Sequence, residues 1–197
     1  MRKGYALGYV AGEQVHTQWM DRVVNLLYRD FPPVLRKYSS PGVLWRARND
    51  LAASFLSDTD EDRLLMVDTD ILFTPEDVDA ILSHEEPVVS GIYGSTNSWS
   101  NSVRVVADGC GFLLVNKEVF EALFPYPFLP VRLQDGDISG EDVGFRARAQ
   151  LAGFAACIDT EIRVQHVKSI ILSIEDIEVE VDEDVYLRHP LLSGRQE

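Results

Sequence analysis

The sequence predicts an α/β fold built on a mostly parallel sheet. Three observations carry that prediction. Short apolar runs bounded by turn residues alternate with segments of helical spacing, the order of strands and helices in an α/β sheet. One such run, Leu64-Leu65-Met66-Val67, ends abruptly in Asp68-Thr69-Asp70, as a buried strand does at a ligand-binding edge. The 197 residues are 46% apolar, enough for one sizeable core and not comfortably for a second full domain.

The elements follow in chain order. Tyr5 to Val10 is an apolar strand that turns at Ala11-Gly12. Gln14 to Tyr28 carries Val15, Trp19, Val23, Leu26 and Leu27 at helical spacing, and Phe31-Pro32-Pro33 stops it. Val34 to Ser40 reads as a short strand and loop, punctuated by Pro41-Gly42. Leu44 to Leu56 is a helix with Leu44, Leu51, Ala52 and Phe55 on one face and Arg46, Arg48 and Asn49 near its start. The strand ending in the aspartate pair comes next. Thr74-Pro75-Glu76-Asp77 then starts a helix, with Thr as cap, Pro at the first position and acids in the first turn.

Pro87 to Gly91 is a second short buried strand, and the polar stretch Ser95 to Ser102 a loop. Cys110 to Val115 is a strand opened by Asp108-Gly109, and Lys117 to Leu123 a helix. Pro125 to Pro130 is an aromatic, proline-rich crossing. Glu141 to Leu151 is a helix ended by Gly153; Ala155 to Ile158 and Ile162 to Val164 are late strands. From Ile170 the character changes. Ile177 to Asp182 alternates strictly between apolar and acidic residues, as a half-exposed edge strand does. The reading is therefore one domain over residues 1–169 and an acidic extension over 170–197.

The formal net charge of −14 argues against a protein that grips phosphate backbones. Two distant cysteines, Cys110 and Cys157, cannot make a disulfide scaffold and read as buried apolar residues in a reducing compartment. Trp19 and Trp45 read as core for their helical spacing. No stretch approaches a membrane span, so the expected location is the cytoplasm.

Asp68 and Asp70 alternate onto one side at the carboxyl end of their strand, and paired hard oxygens there suit a divalent metal carrying a diphosphate. Three further features follow: Asp108-Gly109-Cys110-Gly111-Phe112 opening a strand, Gly140-Glu141-Asp142 opening a helix, and His166 beyond a late strand. In this order they resemble the GT-A fold of nucleotide-sugar-dependent glycosyltransferases, over about Tyr5 to Lys168. Arg46-Ala47-Arg48-Asn49 looks like the R-x-R-N helix opening of many bacterial and phage members.

The resemblance implies a nucleotide-sugar donor, a UDP-sugar by preference, and a hydroxyl acceptor, protein or glycan ahead of nucleic acid. It implies Mn²⁺ or Mg²⁺ held by Asp68, Asp70 and His166, with Asp70 the direct ligand and Asp68 reaching the ribose or the metal through water. The imidazole favours Mn²⁺. Arg46, Arg48, Asp68, Gly109 and Gly111 would attend the donor, the glycines by letting backbone approach the sugar. Trp99, in a polar loop without core pattern, would stack on sugar or close over the donor. Asp142 would be the base and Glu141 its support, in an inverting displacement; a retaining mechanism stays open. Acids in a first helical turn are also stabilising without any such role, by ~0.3–1 kcal/mol.

Two other readings remain. A nucleotidyltransferase also combines an α/β sheet with metal-binding acids, but Ala11-Gly12-Glu13-Gln14-Val15-His16 lacks its basic phosphate loop. A degenerate domain that binds sugar or a partner would not need the intact carboxylates. The oligomeric state is not legible.

Overall fold

A computed structural model describes residues 4–38, 43–96, 103–106, 109–132 and 138–167. Its strands are β1 (Tyr5–Ala11), β2 (Val34–Tyr38), β3 (Arg63–Val67), β4 (Ile71–Leu72), β5 (Val88–Thr96), β6 (Val103–Val106), β7 (Phe112–Asn116) and β8 (Ala156–His166). Its helices are α1 (Thr17–Asp30), α2 (Leu44–Asp58), α3 (Pro75–Ser83), α4 (Lys117–Leu123) and α5 (Glu141–Leu151).

The strands form one sheet in the order β2-β1-β3-β7-β5-β8-β4, with β6 on β5. β1 is parallel to β2 and β3, and β5 to β8; β7 is antiparallel to β3 and β5, β4 to β8, and β6 to β5. So β1, β2, β3, β5 and β8 run one way and β4, β6 and β7 the other. The expected mixed, mostly parallel sheet is what forms.

Helices cover both faces, and strand parity assigns each side chain to one of them. Leu64 and Met66 of β3 pack with Leu51 and Phe55 of α2, Phe120 of α4 and Phe145 of α5. Leu65 and Val67 pack with Trp19 and Leu26 of α1 and Val78 and Ile81 of α3. Each fully buried side chain of this size contributes about 1.5–3 kcal/mol. With all five residues buried, β3 is fixed from both sides, so whatever follows it is held on a rigid element. At α3 the Thr74 hydroxyl accepts from the Asp77 N–H, and the Asp77 carboxylate accepts from the Thr74 N–H, a complete capping box.

Several expectations shift. α1 begins at Thr17 rather than Gln14, with His16 at the cap position in extended geometry. Val15 had extended the helical pattern, but it precedes the helix. The two late strands are one, β8, because its polar centre bulges: β5 pairs Ser90 with Ile158 but Ile92 with Arg163. Gly91 makes room for that bulge, since a Cβ there would lie 2.8 Å from Ile162 Cγ2. Neither β4 nor β6 was expected, and β5 runs on to Thr96, into the first two residues of the expected 95–102 loop, which β6 follows from Val103. Trp19 is core, but Trp45 is only half-buried and lies under the Arg46 guanidinium, 5.1 Å from its ring centre. Cys110 is buried whereas Cys157 is partly exposed, because it sits at the uncovered start of β8. The expected edge strand at 177–182 lies outside the described residues.

Candidate active site

Local geometry starts from β3. Parity sends Leu64, Met66 and then Asp68 toward α2, and α2 presents Arg48 there. Arg48 Nη2 donates to both Asp68 oxygens at 2.8 Å, and Nη1 lies 3.4 Å from Glu141 Oε1. One guanidinium, 4% exposed, thus joins the Asp68 strand end to the first turn of α5. Burial pulls Arg48 down, but the facing carboxylates outweigh it and hold the charge firmly on. Burial pushes the Asp68 carboxyl above its usual range, and Asp70 and Glu141 push the same way against Arg48. Asp68 and Glu141 face one guanidinium and Asp70 adds its charge beside Asp68, a field that favours a further cation.

Arg48→Met, which keeps the stem but removes the charge, leaves Asp68 and Glu141 facing each other without a partner. Loss of one member of a buried pair costs about 3–5 kcal/mol. Asp68 is a third exposed, so the lower end, about 3 kcal/mol, is expected in urea unfolding; a loss below 0.5 kcal/mol would mean that the guanidinium does not hold this junction.

Asp70 departs from the parity of β3. The Ile71 N–H donates to Asp68 O at 3.0 Å, so the chain turns and Asp70 comes to lie beside β8. Val167 N–H donates to Asp70 O at 2.8 Å, and His166 Nε2 lies 2.9 Å from Asp70 Oδ2. The other ring nitrogen, Nδ1, lies 2.9 Å from Gly94 O. A carbonyl only accepts, so Nδ1 carries the hydrogen. Nε2 then faces the carboxylate either as a second N–H or as a lone pair with a cation between. A direct N–H···O bond spans about 2.7–3.2 Å, and adjacent ligands of an octahedral ion with bonds of about 2.1 Å stand about 3 Å apart, so the 2.9 Å Nε2–Oδ2 spacing accommodates both arrangements. The backbone-held Nδ1–H is the usual outer support of a metal-bound histidine.

The structure does not bring all three expected ligands together. Asp68 is turned to Arg48, and the oxygens of Asp68 do not converge with Asp70 and His166 within 4.8 Å, the spacing at which other groups among the described residues meet. Asp68, Thr69 and Asp70 instead share a wall of a cavity of about 540 Å³, completed by Val10, Gln14, Val15, His16 and Leu44. It lies beyond the carboxyl ends of β1 and β3, where open α/β sheets bind ligands. Gln14 and His16 are the lining residues that the sequence missed, because they were counted into α1.

Gly111 O accepts from the Asp68 N–H at 2.9 Å and so fixes the strand end. Its missing Cβ admits Tyr93, whose ring carbon would stand 2.9 Å from it. The close approach seen at this glycine is that of Tyr93. Gly109 is buried. Cys110, 2% exposed, has its thiol pushed up to about 12 by burial, so it stays protonated and is no nucleophile. Asp142 lies in the first turn of α5, its Oδ1 accepting from the Val143 N–H at 2.8 Å. Arg46 is exposed on Trp45 and does not join the cluster. Trp99 lies outside the described residues.

No family model matches the sequence, and no curated protein matches it. Solved structures do. Protein A197 from STIV superposes with a TM-score of 0.54 over 87% of this chain and 97% of its own, at 15% identity. A protein of Desulfovibrio desulfuricans, provisionally assigned as a nucleotide-diphospho-sugar transferase, gives 0.52 over 83% and 81%, at 9% identity. This chain has a GT-A-like fold. Glucosyl-3-phosphoglycerate synthase from Mycobacterium tuberculosis, solved with Mn²⁺, UDP and phosphoglyceric acid, aligns at 0.49 over 85% and 72%, at 12% identity. A GT-A-like fold at such identities fixes the architecture and leaves the chemistry to the side chains.

Proposed function

We propose that this chain is a metal-dependent glycosyltransferase that moves a sugar from a UDP-sugar to a hydroxyl acceptor with inversion. The observation that carries the reading is His166, oriented by Gly94 O so that Nε2 meets the Asp70 carboxylate at the rim of the strand-end cavity. Asp70 and His166 would hold Mn²⁺, or Mg²⁺ less well, with Asp68 reaching it through water. The ion supplies Lewis-acid stabilisation of the charge that builds on the departing diphosphate.

The protein's own groups do the rest. The cavity is of the size that takes a small cofactor, about 300–1,000 Å³. Asp68, held by Arg48, keeps acceptor capacity for ribose hydroxyls, since each carboxylate oxygen has two lone pairs. Glu141, tied to Arg48, positions α5. Asp142 has one oxygen pinned by its own helix and the other available for the acceptor proton, so it serves as base. Residues 1–169 form the catalytic domain and 170–197 an acidic extension. Among the described residues no helix is long and apolar enough to cross a membrane, and the free thiols fit a reducing cytoplasm.

A thermal-shift panel of nucleoside diphosphates and nucleotide sugars, with and without Mn²⁺, tests this. Ligand at about 100 times Kd stabilises by about 2.7 kcal/mol. For a chain of this length that is a rise in Tm of about 5–10 °C. The rise is expected for UDP compounds and only with the metal. No stabilisation by any of them, or pyrophosphate release from a nucleoside triphosphate and a sugar phosphate, would overturn the assignment.

A further inference from the structure

The sheet has a second edge. β5 begins at Val88 and runs the same way as β3, so the turn before it lies at the opposite end from Asp68. Arg63, the first residue of β3, donates to His84 O there at 3.1 Å. This turn carries His84 and Glu86. β8 starts alongside, with Cys157 paired to Val89. One imidazole nitrogen, one carboxylate oxygen and the Cys157 sulfur lie within 4.8 Å of one another. Nothing in the proposed transfer reaction uses them.

We propose that His84, Glu86 and Cys157 form a zinc site. Thiolate, imidazole and carboxylate together are a donor set for Zn²⁺, and the thiolate discriminates against Mg²⁺ and Ca²⁺. His84 Nδ1 lies 3.2 Å from Glu86 Oε2. In a tetrahedral zinc site, with bonds of about 2.0–2.3 Å, ligand atoms stand about 3.3–3.8 Å apart. The nitrogen and oxygen, 3.2 Å apart, lie within about 0.1 Å of the lower end of that range. The Cys157 sulfur lies within 4.8 Å of both and would close the remainder by rotation of its side chain.

The outer support is in place as well. His84 Nε2 lies 2.8 Å from Asp159 Oδ2, and Asp159 Oδ1 accepts from the Glu161 N–H at 2.8 Å. Asp159 is therefore fixed, and it fixes the ring with Nε2–H on its carboxylate and Nδ1 toward Glu86. This is the carboxylate–histidine–metal arrangement. On binding, the Cys157 thiol and His84 Nδ1 release any proton they carry to solvent, Nε2–H stays on Asp159, and water takes the fourth position. The ion would clip the turn before β5 to the first residues of β8, away from the strand-end cavity.

Titration of metal-free full-length protein with Co²⁺, a spectroscopic stand-in for Zn²⁺, tests the site. A thiolate-to-cobalt charge-transfer band is expected to saturate at one equivalent and to disappear when Zn²⁺ displaces the cobalt. It should persist in Asp70→Ala, which separates it from the proposed transferase metal, and vanish in Cys157→Ser. Asp159→Asn should weaken affinity by about 10–100-fold. No band in the unaltered protein, or a band that survives Cys157→Ser, overturns the site. Should Cys157→Ser not fold by circular dichroism, His84→Gln decides instead: its Co²⁺ affinity must fall by at least about tenfold.

Discussion

Asp70→Ala is expected to abolish Mn²⁺-dependent nucleotide binding and leave the fold intact. The carboxylate stands in a turn beyond the buried run of β3, where its Oδ2 meets His166 Nε2 at 2.9 Å. The backbone bonds that shape the turn, Ile71 N–H to Asp68 O and Val167 N–H to Asp70 O, do not need the side chain. Loss of an outer-shell group around a metal costs about 10–100-fold in affinity, and loss of a direct ligand costs more. Calorimetry with UDP and Mn²⁺ should therefore show at least about a hundredfold rise in Kd, with far-UV circular dichroism unchanged. His166→Ala should weaken Mn²⁺ and move the preference toward Mg²⁺, because the remaining ligands are hard oxygens. Unchanged nucleotide affinity in Asp70→Ala would remove the metal from the strand end.

Asp142→Asn separates catalysis from binding. The amide keeps the shape of the carboxylate and can still accept the Val143 N–H at its oxygen, so the first turn of α5 is preserved. It cannot take up a proton. General-base catalysis is worth roughly 10²–10⁴-fold, so transfer should fall by that order while UDP affinity in Mn²⁺ barely moves. A first-turn acid with no chemical role would instead cost a few tenths of a kcal/mol of stability and leave turnover intact. The counterpart Glu141→Gln loosens the 3.4 Å contact with Arg48 and should reduce stability as well as rate, since that contact ties α5 to the Asp68 junction. If Asp142→Asn turns over normally and Glu141→Gln does not, the base is Glu141; if neither changes turnover, single displacement is lost.

Much of the architecture was legible because its cause is local. The Thr74-Pro75 start of α3 follows from cap chemistry, and the strand at 64–67 from an apolar run. The failures have physical causes too. Val15 continued a helical period although no side-chain cap marks the helix start, and the chain entered α1 only at Thr17. Trp45 fell in step with apolar neighbours, yet it lies in the first turn of α2, where the sheet no longer covers it. Asp159 to Glu161 broke the apolar pattern of β8, but a bulge carries them outward and the pairing resumes at Arg163. β4 is two residues long, below any periodic signal.

Sequence by itself determined that two carboxylates end a buried strand, that acids open a late helix, and that a histidine comes at the close of the last strand, of which it is the final residue. Each of these rests on neighbours within one turn or one pleat. Tertiary structure alone decided which groups meet. Asp68 keeps the parity of β3 and finds Arg48, 20 residues away in sequence, whereas the turn at 68–71 takes Asp70 out of that parity to His166, 96 residues away. Periodicity assigns a side chain to a face. It does not say which strand the sheet order sets beside it, because that order is chosen by the packing of both cores at once.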